Sequence, residues 1–152
     1  MIARGGGRVL NVASMFAFMP IPRVAAYAAA KAYVLSLTES LSEELHGTGV
    51  TATALCPGLT DTAMVRGSQL GKAVPATMAM SPKEVAELGC AACLKGETIC
   101  VPGLTNRALI TGAQLLPRRL VRALGGMVNI RGWGSMASAL YYRAAPGKQA
   151  KK

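Results

Sequence analysis

Three residues have types and spacing suited to proton transfer: Tyr27 and Lys31, four positions apart in Tyr27-Ala28-Ala29-Ala30-Lys31, and Ser14, thirteen positions before the tyrosine. Alanine and lysine are strong helix formers, so the spacing predicts a helix with Tyr27 and Lys31 one turn apart on one face. An ammonium held beside a phenol favours the phenolate, which is what a tyrosine that must give and take a proton near neutral pH requires. Ser14 closes the apolar run Val9-Leu10-Asn11-Val12-Ala13, which reads as a buried strand. Its hydroxyl is then expected at the carboxyl end of a parallel strand, where open α/β sheets bind their ligands.

Each residue alone is a common occurrence, and it is their order that carries weight. Asn11-Val12-Ala13-Ser14, then Tyr27-x-x-x-Lys31, then a second strand running into Pro57-Gly58-Leu59-Thr60-Asp61-Thr62 resembles the short-chain dehydrogenase/reductase family, over about residues 6 to 103. The resemblance implies NAD or NADP as cofactor and a small carbonyl or secondary alcohol as substrate. It implies Tyr27 as general acid or base, Lys31 as the group that lowers its proton affinity and binds the nicotinamide ribose, and Ser14 as donor to the substrate oxygen. Tyr27 and Lys31 thus also contact the cofactor. Pro57, Gly58 and Thr60 would line the nicotinamide, with Thr62 near its carboxamide or the pyrophosphate. A homo-oligomer built on the tyrosine helix is implied in the same way.

The family's Gly-rich phosphate turn, its adenosine-ribose test, its Asn-Ala-Gly segment and its helical asparagine have no counterpart in these residues. Gly5-Gly6-Gly7 precedes a strand, whereas a phosphate-cradling turn follows a strand and opens a helix. Met1-Ile2-Ala3-Arg4 is expected to be the last turn of the helix before the serine strand. The expected fold is α/β: a partial doubly wound, Rossmann-like parallel sheet lacking the N-terminal strands. Residues 1–103 are its carboxyl-terminal half and 104–152 a basic helical extension with a poorly ordered end. The serine strand is then expected at an open sheet edge.

The rest of the chain alternates strand and helix signals. Val34, Leu37, Leu41 and Leu45, spaced by three and four, predict the buried stripe of the tyrosine helix, with Glu39 and Glu43 opposite and Gly47 and Gly49 ending it. Val50 to Cys56 is a second strand, joined to the first by a right-handed crossover. Between Leu59 and Met80 no period is visible, and a loop or two short helices are expected there, with Met64, Met78 and Met80 either forming an apolar pocket wall or filling gaps. Ser81-Pro82-Lys83-Glu84 is a capping box that opens a helix reaching about Lys95, and Thr98 to Val101 a third strand.

Of 152 residues 51% are hydrophobic, which argues against disorder, and no run approaches the ~18 apolar residues of a membrane span. The start lacks the pattern of a signal peptide, and a cytoplasmic location is expected. Cys90 and Cys93 have ligand-like spacing, but they fall in an alanine-rich helix without a histidine. They read with Cys56 and Cys100 as buried thiols rather than a metal site. The single histidine, His46, sits at a helix end and is not expected to be catalytic.

Residues 1–97 hold eight Lys and Arg against all seven acids, whereas residues 98–152 hold nine Lys and Arg and no acid. Leu116, Leu120, Val121 and Leu124 fall on one arc of a helix starting near Pro117, opposite Arg118, Arg119 and Arg122. Such a helix packs on its own domain, touches an anionic membrane surface peripherally, or draws in anionic substrates. No nucleic-acid motif surrounds the aromatics Trp133, Tyr141 and Tyr142. Two functions follow from these features: the catalytic part of an NAD(P)-dependent oxidoreductase, favoured by Ser14, Tyr27 and Lys31, or a catalytically silent membrane- or protein-binding module, favoured by the missing phosphate turn.

Overall fold

The computed structural model describes residues 1–22, 24–66 and 79–127, except the side chains of residues 64, 126 and 127. Strands β1 (Gly7–Val12), β2 (Val50–Leu55) and β3 (Ile99–Cys100) form a parallel sheet in the order β1-β2-β3. Helix α1 (Ala25–Glu44) joins β1 to β2, and α2 (Ala63–Arg66) and α3 (Pro82–Lys95) lie between β2 and β3. Helices α4 (Leu104–Leu115) and α5 (Arg118–Met127) follow the sheet. Short 3-10 turns at Ile2–Arg4 and Met15–Phe18 bracket β1.

Period-two alternation along β2 sends successive side chains into different layers. Ala54 and Cys56 pack with Leu35 of α1, and Leu55 packs with Val85 and Ala92 of α3. The helices therefore cover opposite faces of the sheet, the α/β/α layering predicted. Ala52 and Ala54 are fully buried, and their small side chains let α1 come close. Thr38, also fully buried, takes a hydrogen bond from the Asn11 amide at 3.0 Å and donates to the Val34 carbonyl at 2.6 Å. One threonine thus ties α1 to β1 without leaving a buried hydroxyl unpaired.

The stripe of α1 differs from the one predicted. Its buried positions are Ala28, Leu35 and Thr38, while Leu37 is exposed and Val34, Leu41 and Leu45 are half-buried. Leu37 lies about 200° around the helix from Leu35, so a helix seated by Leu35 on a narrow sheet must turn Leu37 outward. The thiols also divide: Cys56 and Cys100 are buried, but Cys90 is exposed and Cys93 half-buried, because α3 docks through Val85, Gly89 and Ala92 instead. The third strand is shorter than Thr98–Val101. Its pairing still extends past its ends, through Ala54 N–H to the Thr98 carbonyl at 2.8 Å.

Local signals placed α3 well. Ser81 Oγ accepts from the Glu84 N–H at 3.1 Å, Pro82 occupies the first turn, and Gly96 at φ 76° ends the helix in the left-handed conformation that favours glycine. Of the pocket-wall methionines, Met80 packs under the Leu55 cluster and Thr60 and Met80 form a β-bridge, which is the gap-filling alternative. The Met64 side chain and Met78 lie outside the described residues, as do Trp133, Tyr141, Tyr142 and the end of the basic extension.

Gly7 and Ala13 donate their N–H groups to the Gly49 carbonyl just before β2 and the Leu55 carbonyl at its end. By alternation the main-chain groups of Arg8, Leu10 and Val12 point the other way, and among the described residues no strand pairs with that edge. β1 is the edge strand that the sequence predicted.

Candidate active site

Ser14 follows the end of β1, and Lys31 reaches the last carbonyl of that strand from α1, with Tyr27 one turn before it. Ser14 is 7% exposed and caps the 3-10 turn Met15–Phe18, its Oγ accepting from the Phe16 N–H at 3.2 Å. Because that bond uses a lone pair, the hydroxyl proton stays available to a ligand oxygen. The neighbouring backbone is pinned to the next strand: Ala13 N–H donates to the Leu55 carbonyl at 2.8 Å and Met15 N–H to the Pro57 carbonyl at 2.9 Å. The serine turn and the Pro57-Gly58 segment therefore move as one unit.

Tyr27 lies in the first turn of α1 and packs, half-buried, against the pair Ile21 and Val24. Its ring meets the Phe16 ring edge to face, with centroids 6.4 Å apart at 86°. Lys31, one turn on, places Nζ 5.7 Å from the centre of the Tyr27 ring and donates to the Val12 carbonyl at 2.8 Å. The predicted juxtaposition of ammonium and phenol is present. Its acceptor was not foreseen, because a backbone carbonyl has no sequence signature: Val12 belongs to the outward-pointing set of the open edge, so Lys31 occupies the last carbonyl of that edge. Asn11 and Thr38, which fix α1 against β1, were also missed as positioning residues. A polar residue inside an apolar strand run was the available signal.

The residues expected at the nicotinamide follow β2. Pro57 carries the carbonyl that holds Met15, and Thr60 Oγ1 donates to the Gly58 carbonyl at 3.4 Å. Thr62 Oγ1 accepts from the Val65 N–H at 3.3 Å, at the start of α2. Gly58 is needed for close packing: a Cβ there would strike the Asn106 side chain, which α4 brings over the segment. Cys56, fully buried immediately before Pro57, has its thiol pushed up to about 12, chiefly by burial and partly offset by a hydrogen bond from the Ser14 backbone. It stays neutral beneath the site. Burial likewise raises the Cys100 thiol, with Glu97 adding to the shift.

A groove of about 830 Å³ runs between α1, the 17–22 segment and α5, with Pro20, Ala28, Ala32, Leu116 and Val121 among its walls. Ser14, Tyr27 and Lys31 do not line it. The chemistry and the groove are separate features of the described residues.

Comparison with known proteins agrees with this fold. Residues 1–73 match the short chain dehydrogenase family model. A short-chain type dehydrogenase/reductase from Picea abies is 40% identical over 84 residues, 55% of this chain and 31% of that protein. Among solved structures, a short chain dehydrogenase from Burkholderia cenocepacia J2315 in complex with NADP superposes with a TM-score of 0.61 at 26% identity, covering 78% of this chain and 48% of that one. A 7beta-hydroxysteroid dehydrogenase superposes with a TM-score of 0.64 at 29% identity, covering 74% and 44%. Over residues 1–73 the chain is similar to the short-chain dehydrogenase/reductase family. It spans about a third of the length of the Picea protein and about half of the solved chains.

Proposed function

We propose that this chain carries the proton-transfer apparatus of an NAD(P)-dependent oxidoreductase acting on a carbonyl or secondary alcohol. The observation that carries the reading is the Lys31 ammonium, held 5.7 Å from the Tyr27 ring and fixed at 2.8 Å by the carbonyl of Val12, two residues before the buried Ser14. The donor set suits the nicotinamide end of a dinucleotide: a lysine ammonium at the strand end, and the hydroxyls of Thr60 and Thr62 beside Pro57 and Gly58. NAD or NADP, when bound, supplies or accepts the hydride.

This chain's residues would govern the proton. Tyr27 donates its phenolic proton to the substrate oxygen in reduction and takes the hydroxyl proton in oxidation. Lys31 stabilises the phenolate left behind, and Ser14 Oγ–H donates to the oxygen as negative charge grows there. An apolar substrate fits the surroundings of Tyr27, namely Phe16, Met19, Ile21 and Val24. Exposed Tyr33 and Leu37 give α1 an apolar outer face, compatible with the oligomer that the family resemblance implies. That the named relatives are dehydrogenases supports an enzyme over a silent binding module.

The test is Tyr27→Phe, assayed as NAD(P)H oxidation with a panel of apolar ketones. Losing the proton donor should lower kcat by about 10²-fold or more while cofactor affinity changes little. Turnover equal to the parent protein would end the assignment.

A further inference from the structure

The segment after β3 exposes apolar side chains where a water-facing helix surface would ordinarily be polar. On α4, Leu104, Ala108 and Leu115 recur at helical spacing, opposite the buried Ile110, and Leu104 and Leu115 are each 81% exposed. On α5, only Val121 of the predicted apolar arc is buried, leaving Leu120 and Leu124 at 51% and 52% exposure. Val121 and Gly125 seat the helix against the domain, the latter packed on the Pro20 carbonyl and Pro22. The remaining leucines project from a helix that is already docked.

The charge around them has one sign. Arg118, Arg119 and Arg122 are exposed on the arc of α5 opposite its leucines, and Arg107 on α4 reaches the Val101 carbonyl at 2.9 Å with its guanidinium at the surface. From Thr98 onward the sequence contains no Asp or Glu. Glu39 of α1 shares the groove wall with Arg118. A purely solvated face would not need leucines at 81% exposure, and a neutral protein partner would not need arginine without a single acid. A helix with leucines on the arc that enters an acyl boundary and arginines on its polar arc, where they meet lipid phosphates, satisfies both features.

We propose that α4 and α5 form a docking surface for an anionic lipid bilayer, with Leu104 and Leu115 entering the interface and Arg118, Arg119 and Arg122 pairing with acidic headgroups. The contact is peripheral: no described helix is long and apolar enough to cross a membrane. It is independent of the role assigned to Tyr27.

Flotation of the full chain with phosphatidylcholine vesicles containing about 30% phosphatidylserine, at about 0.15 M salt, tests it. Binding is expected to the mixed vesicles and not to phosphatidylcholine alone. The double variant Leu104→Gln/Leu115→Gln, altered only at exposed positions and checked by circular dichroism, should bind about tenfold more weakly or worse. Arg118→Gln/Arg119→Gln/Arg122→Gln should also weaken binding, whereas Tyr27→Phe should not. Undiminished binding by the leucine variant would show adhesion through charge alone and overturn the proposal. So would absence of vesicle binding, or a lipid-free dimer in sedimentation that the leucine variant abolishes, which would make the face a contact between copies.

Discussion

Removing the thiol of Cys56 should change how the protein's stability depends on alkaline pH. Cys56 is fully buried and its thiol is held up at about 12, against an ordinary value of 9.0, chiefly because burial penalises the thiolate. Unfolding releases that constraint. Below pH 9 both states keep the proton and the group leaves stability unchanged with pH. Between about 9 and 12 the unfolded thiol ionises while the native one does not, so stability is lost as pH rises. At pH 10 roughly nine-tenths of unfolded thiols but about 1% of native ones are ionised, a loss of about 1 kcal/mol, or roughly 2–4 °C in Tm for a chain of this size. Cys56→Ala removes this dependence and leaves a sulfur-sized void costing about 1 kcal/mol at neutral pH. The parent protein should therefore be the more stable at about pH 7.5, and the gap should close by about pH 10. Urea titrations followed by circular dichroism at several pH values measure it. Cys100, also raised, is present in both proteins and cancels. A gap that stays constant or widens with pH would refute the account of Cys56 as a desolvated thiol.

Thr53 is fully buried, and its hydroxyl has no hydrogen-bond partner among the described residues. Thr53→Val, nearly the same shape without the polar group, should stabilise the fold by about 1 kcal/mol in the same titration, and a loss of stability would mean that the hydroxyl has a partner. Ser81→Ala removes the acceptor of the Glu84 N–H and should cost about 1 kcal/mol, seen as a lower Tm; no change would show that the cap contributes nothing. Among the described residues no Gly-rich turn follows a strand and opens a helix, so NADH and NADPH titrations followed by fluorescence should give weak binding. Submicromolar affinity would show that the nicotinamide end alone suffices.

Elements whose identity depends on neighbours in sequence were legible. Ser81 to Glu84 and the Tyr27 to Lys31 turn are local patterns, and each is found where spacing put it. Features set by tertiary contact were not. Leu37 and Leu35 are equally apolar, and only the seating of α1 on Ala52 and Ala54 decides which is covered. In the same way Cys90 and Cys93 sit in a helix of small residues whose docking face is chosen by Gly89 against Leu55. Within the site, the residue types were readable because proton chemistry restricts them to few kinds. The acceptor for Lys31 was not, since any carbonyl serves.

The site's precision rests on the β1–α1–β2 unit and very little else. Ser14 is set by the end of β1 and tied to Pro57 through Met15, while Lys31 reaches back to Val12 and Thr38 grips Asn11. The last two of these bonds end on β1, which has a single strand neighbour among the described residues. Any shift of β1 along β2 would therefore carry Ser14 and the Lys31 acceptor together relative to Tyr27, whose packing is instead against Phe16, Ile21 and Val24. What places hydroxyl, phenol and ammonium in register is thus the parallel pairing from Gly7 with Val50 to Val12 with Leu55. A strand laid on the open edge would act on the chemistry by fixing that pairing, and it would compete with Lys31 for the Val12 carbonyl.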